Sequence, residues 1–162
     1  MTINRVRGFT LIELVVVITI LGILAAFAVP KFITLDTTAR IATINGLAGS
    51  VRSAASLARG MSMASQSTTS VLMEGSNVTL VNNYPDASPT GIVTAVNTTT
   101  SGTDFTVSGD TATAGSGGTV IWTKVGAPVP ANCSVTYTTP TVAGAAPVVT
   151  VTTTGSGGAA GC

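Results

Sequence analysis

Histidine is missing altogether from this sequence of 162 residues, and Asp, Glu, Lys and Arg together supply only 8% of it. Ordinary soluble domains carry roughly 25% charged residues. Aromatic side chains are also scarce, at 4%, and there are two cysteines. Without histidine, and with Lys124 the sole basic residue after position 66, the usual bases for a Ser or Cys nucleophile are lacking. Glu74, Asp86, Asp104 and Asp110 are scattered, unlike the close carboxylate pair of glycoside hydrolysis. Asp104 and Asp110 also lack the alternating acids of a calcium loop. The reading is therefore of a chain that is not an enzyme, with no catalytic set, metal or cofactor. Net charge is +1, and it becomes −1 once Arg5 and Arg7 are set aside, so no general basic field for nucleic acid exists.

What the sequence does have is one long apolar run near its start. From Phe9 to Val29, 21 residues carry a single charge, Glu13. As a helix at 1.5 Å per residue that run spans about 31 Å, matching the roughly 30 Å hydrocarbon core of a bilayer. Arg5 and Arg7 precede it with no compensating acid. By the positive-inside rule this puts the N-terminus in the cytoplasm and everything after Pro30 outside the inner membrane. An ordinary secretory signal is cut after its apolar stretch, and Ala25-Ala26-Phe27-Ala28 imitates such a site, so conventional cleavage is the competing reading. Glu13 is the costly residue. An unpaired carboxylate at membrane depth costs about 2.5 to 3.5 kcal/mol on insertion scales, so it needs either a partner or a place at the headgroups.

Pro30 lacks a backbone N–H and clashes one turn back, which predicts a kink or opening between Phe27 and Pro30. Gly22 adds a second weak point upstream. Beyond the proline, Ile41, Ile44, Leu47, Ala48, Val51, Ala54, Ala55 and Ala58 recur at three- and four-residue intervals, while Arg40, Thr43, Arg52, Ser56 and Arg59 point elsewhere. This is an amphipathic helix with Gly60 as terminator to within a few residues. The remainder changes character. Short β-branched runs at Val78–Val81, Ile92–Val96, Phe105–Val107, Val120–Thr123, Val135–Thr138 and Val148–Val151 read as strands of an antiparallel sheet. Turn signals separate them at Tyr84-Pro85-Asp86, Ser108-Gly109-Asp110, 115–118 and 155–158. Cys133 and Cys162, an even pair in a chain that looks exported, favour a disulfide over a metal site, with two free thiols as the alternative.

Taken together, Arg7-Gly8-Phe9-Thr10-Leu11-Ile12-Glu13-Leu14, the apolar run to Val29 and then Pro30 resemble the class III signal and N-terminal helix of type IV pilins and pseudopilins. The resemblance implies an α+β pilin fold, a long N-terminal helix packed on a C-terminal antiparallel sheet. It implies a leader, residues 1–8, cut between Gly8 and Phe9 by a membrane-embedded prepilin peptidase that methylates the new Phe9 amine. It further implies a transmembrane and filament-core helix at 9–29, an amphipathic continuation at 30–64 and a Thr-rich globular domain at 65–162. Glu13 of an incoming subunit would pair with the Phe9 amine of its neighbour, and the helix would open between Gly22 and Pro30 within the fibre. Tyr84-Pro85-Asp86-Ala87-Ser88 with Gly91-Ile92, and Cys133-Ser-Val-Thr-Tyr137 with Cys162, are similar to the mannose-sensitive haemagglutinin type of pilin, in which a disulfide bounds the C-terminal region.

The function this implies is that of a structural subunit, a major pilin, in an extracellular filament for adhesion, motility or aggregation. Its partners would be other copies of itself, the prepilin peptidase, the assembly machinery, the inner membrane before assembly, and host or surface receptors afterwards. A type II secretion pseudopilin is the first alternative, disfavoured by the late cysteine pair. A membrane-anchored ligand-binding module using Asp86, Asp104, Asp110 or Trp122 is the second.

Overall fold

The computed structural model describes residues 8–99, 102–109, 117–154 and 161–162 of the chain. Arg5, Arg7 and Asp110 lie outside them, as do the turn signal at 155–158 and the first half of that at 115–118. The architecture is α+β, a long N-terminal helix followed by antiparallel sheets. The chain divides into two compact units, the first ending at Thr37 and the second beginning at Thr38.

The helix α1 runs Leu11–Ser65 and contributes to both units. In the first unit its Leu11–Val29 stretch has a mean hydropathy of 2.8, and its large apolar side chains are exposed. Thr19, the one hydroxyl residue in that stretch, turns its Oγ1 back on the carbonyls of Val15 and Val16, so it presents no unmet polar group to an apolar surrounding. Gly22 and Pro30 both lie inside α1.

In the second unit α1 buries the stripe that its periodicity predicts. Ile44, Leu47, Ala48, Val51, Ala54, Ala55 and Ala58 are all buried, and Ile41 packs against them. Arg52 and Ser56 are exposed. The helix passes through Gly60 and ends at Ser65, because its terminator is Gln66. That residue adopts the left-handed conformation, φ 54°. Ser67 N–H then reaches back to the Ser62 carbonyl at 3.2 Å, the six-to-one bond of a Schellman motif. Ser62 Oγ adds a bond to the Ser67 carbonyl at 2.6 Å.

Among the described residues seven strands follow, in two sheets rather than one. The first has the order β1 (Ser70–Met73), β2 (Ser76–Val81), β3 (Tyr84–Pro85). The second has the order β4 (Phe105–Ser108), β5 (Thr119–Lys124), β6 (Ser134–Thr138), β7 (Val148–Thr152). Both are antiparallel throughout. In the second sheet, period-two alternation sends Val120, Trp122, Val135, Tyr137, Val149 and Val151 into the core shared with α1. The opposite positions are largely hydroxyl residues in register, Thr119 opposite Thr138 and Thr136 opposite Thr150. A Thr-covered face of this kind is how the domain stays polar with so few charges. A second, smaller core sets Ala58 against Val71, Met73, Val78 and Leu80 of the first sheet.

Two local expectations are corrected. Ile92 and Val93 belong to a helical turn, Pro89–Val93, and not to a strand. Ser88 caps it, its Oγ accepting from Gly91 N–H at 3.0 Å, and Pro89 occupies the first position, where its missing N–H is no loss. The turn packs closely enough on Asp86 that any side chain at Gly91 would collide with it. Tyr84-Pro85 is likewise a strand, and the turn lies just before it. Asn82 and Asn83 have φ of 51° and 68°, the two-residue hairpin geometry that asparagine tolerates. Pro85 is accommodated because β3 is an edge strand.

Candidate processing and assembly site

At the start of α1 two side chains, Thr10 and Glu13, form a compact arrangement. Thr10 is the N-cap. Its Oγ1 accepts from Glu13 N–H at 3.3 Å and donates to Glu13 Oε2 at 2.7 Å. Glu13 Oε2 in turn accepts the Thr10 backbone N–H at 2.8 Å. This reciprocal pattern is a capping box. It satisfies helix-end donors that a lipid environment would otherwise leave bare. The Thr-x-x-Glu signature is present in the sequence, but a partner for Glu13 sought only in other chains passes over it.

Phe9, immediately outside the box, is 91% exposed. Gly8 precedes it, and a side chain there would meet no atom within 4 Å. Nothing in the chain's own packing therefore demands glycine at that position. Glu13 is itself exposed, and within one chain its hydrogen-bond partner is Thr10. The Leu11–Val29 stretch that follows is 19 residues long, about 28 Å as a helix, close to the hydrocarbon thickness of a bilayer.

At the other end of the sequence, Cys133 and Cys162 form a disulfide with a Cα separation of 4.8 Å, and both are fully buried. Several bonds hold its surroundings. Arg40 Nη1 donates to the Cys162 carbonyl at 3.0 Å, and Lys124 N–H donates to the Cys133 carbonyl at 2.9 Å. Gly161 N–H bonds to the Thr153 carbonyl at 3.2 Å. Gly161 also packs so tightly on Asn132 that a side chain would not fit.

Of the residues considered for a ligand-binding module, the described ones, Trp122, Asp86 and Asp104, do not converge on a surface. Trp122 is fully buried, its Nε1 donating to Thr98 Oγ1 at 3.1 Å. Asp86 is buried and accepts from Ser88 Oγ. Asp104 sits at the surface, paired with Lys124 at 3.0 Å. Tyr137 lies in the same core as Trp122 and donates to the Pro85 carbonyl at 2.7 Å. Burial above all, and then the nearby Asp86 and Tyr84, push its phenol well above the ordinary tyrosine value.

Comparison with known proteins places the N-terminal features in a class. Residues 3–29 match the prokaryotic N-terminal methylation motif, a match that spans Gly8, Phe9, Glu13 and the apolar run. The chain thus carries a class III signal of the N-terminal methylation kind. It is also 52% identical over 54 residues to the type IV narrow pilus major component PilA5 of Thermus thermophilus. That alignment covers 33% of this chain and 47% of the relative, so the likeness spans about half of the latter's length. No solved structure matches the chain.

Proposed function

We propose that this chain is a structural subunit, the major pilin, of a type IV pilus. The observation that carries the reading is the methylation motif over residues 3–29, coinciding with an exposed apolar helix at Leu11–Val29. The precursor is held in the inner membrane by that helix, with its N-terminus in the cytoplasm. A prepilin peptidase cuts between Gly8 and Phe9 and methylates the Phe9 amine. The apolar helix is retained and becomes the packing element of an extracellular filament built from many copies.

Glu13 has two roles in this scheme. Before assembly it closes the capping box with Thr10. On assembly the cationic Phe9 amine of a neighbour, at the positive end of a helix dipole, neutralises the carboxylate inside an apolar surrounding where neither charge is tolerable alone. Opening of α1 between Gly22 and Pro30 belongs to the assembled state, where neighbours cover the backbone groups so freed.

The test is to shear filaments from cells and determine the subunit's first residue by mass spectrometry. An N-methylated Phe9 in abundant external fibre is the expected result. A processed chain confined to the membrane or periplasm would favour a secretion pseudopilin, and cleavage after Ala28 would remove the reading altogether.

A further inference from the structure

The two hairpins of the first sheet make an informative pair. Both are two-residue turns with positive φ at both central positions, Asn82-Asn83 in one and Glu74-Gly75 in the other. Asparagine and glycine suit that geometry. Glutamate does not, yet Glu74 is held there at φ 48°. It is exposed and makes no hydrogen bond or ion pair among the described residues. An exposed acid at a hairpin tip, unpartnered among the described residues, is available to a partner outside the chain.

The other charges of the second unit narrow what that role is. Asp104 is paired with Lys124, Asp86 is buried on Ser88, and Arg40 is bonded to Cys162. Glu74 is thus the one exposed acid without a partner among the described residues of this unit. On the cationic side, Arg52 is exposed and spends one donor, Nη2, on the Val149 carbonyl at 3.1 Å. Its remaining donors have no partner among the described residues, out of the five that a guanidinium carries. Arg52 forms one wall of a cleft of about 240 Å³, completed by Ser56, Tyr84, Pro147 and Val149. Arg59 lies against the same tyrosine, 4.8 Å from the ring centroid, and donates to its hydroxyl. The cleft is therefore positive on one side and apolar on the other, with no acid in its lining. The hairpin offers the complement, since Leu72, two residues before Glu74, is 62% exposed.

Resting on the filament reading above, we infer that the Glu74 hairpin of one copy docks in the Arg52–Tyr84 cleft of a neighbouring copy. The carboxylate meets the Arg52 guanidinium and Leu72 lies on the apolar wall. This contact joins outer domains to one another and is separate from the packing of the N-terminal helices. Charge complementarity of this kind sets register between subunits and penalises like-charged pairings.

The experiment compares filaments sheared from cells that express the full precursor as wild type, Glu74→Arg, Arg52→Glu, the double reversal, or Glu74→Asn. Each single reversal is expected to lower filament yield about tenfold, and the double reversal to restore it to within about twofold. Processed subunit in the membrane fraction reports folding and is expected to stay constant. Glu74→Asn separates this contact from a merely local role: asparagine suits the turn better, so a local role predicts unchanged or improved yield, whereas the contact predicts a loss. Wild-type yield from the single reversals, or a double reversal no better than the worse single, overturns the pairing and leaves the filament reading standing. Absence of wild-type filaments beginning at Phe9 overturns both.

Discussion

The two stretches of α1 show how differently one kind of secondary structure is used. From Leu11 to Val29 the helix is apolar around its whole circumference and buries almost nothing within its own unit. From Ile41 to Ala58 it is apolar along a single stripe, and that stripe is covered by the domain's own sheets. A helix apolar all round belongs in lipid or in the interior of an assembly, and one apolar on a stripe belongs on a domain surface. The first stretch thus needs other molecules to reach its stable environment, and the second does not. Polar chemistry follows the same division. In the first stretch Glu13 and Thr19 are satisfied by bonds to near neighbours in sequence, whereas in the second unit Arg40, Arg52 and Tyr137 bond across long sequence separations.

The sharpest way to test that division is to alter the one charge of the apolar stretch. Glu13→Val makes the helix more apolar, so insertion of the precursor is expected to persist while sheared filament falls at least tenfold, on the order that the loss of an intramembrane ionic partner implies. Immunoblots of the sheared and membrane fractions check both halves. Normal filament yield would show that the first stretch packs by apolar contact alone.

Next in size is the disulfide. Changing Cys133 and Cys162 together to Ser opens a loop of 29 residues separation and is expected to destabilise the second unit by about 3 to 4 kcal/mol on loop entropy. Urea unfolding of the processed subunit, followed by Trp122 fluorescence, measures it. The Leu11–Val29 helix should keep its circular dichroism under the same conditions, since its backbone hydrogen bonds are made within the helix itself.

Tyr137→Phe is smaller, about 1 to 2 kcal/mol, because it leaves the buried Pro85 carbonyl without its donor. It also carries a pH signature. The folded state raises the phenol above the unfolded value of 10.0. Below about pH 10 both states hold the proton and stability is at its full value. Above it the unfolded chain ionises first, so stability falls as pH rises towards the raised folded value. Part of this alkaline loss should vanish in Tyr137→Phe, as read from melting temperatures between about pH 9 and 11. The least change is expected from Gln66→Gly, which relieves a left-handed residue at the end of α1 and should stabilise by up to about 1 kcal/mol.

Much of this organisation was legible before any coordinates. The apolar run, the charge placement around it and the stripe from Ile41 to Ala58 are periodic signals carried by neighbouring residues. The strands at Phe105, Val120, Val135 and Val148 are alternating runs bounded by turn residues. Ile92–Val96 misled because a β-branched run and a short buried helix look alike over five residues, and the deciding features were a Ser88 cap and the packing of Gly91 against Asp86. At the N-terminal end Gly8, Phe9 and Glu13 stand out in the sequence as candidates for processing and assembly, whereas the capping box with Thr10 emerged only with the helix start in place.

Sequence alone therefore determined the apolar helix and its single acid, since hydropathy, topology and helix period depend on residues close together in the chain. Tertiary structure alone decided that the strands divide into two sheets, that Arg40 clamps the disulfide-bounded segment, and that Glu74 stands unpaired among the described residues while Arg52 lines an acid-free cleft. Those outcomes join residues tens of positions apart, and such pairings depend on which surfaces the folded core leaves in contact, which no local pattern encodes.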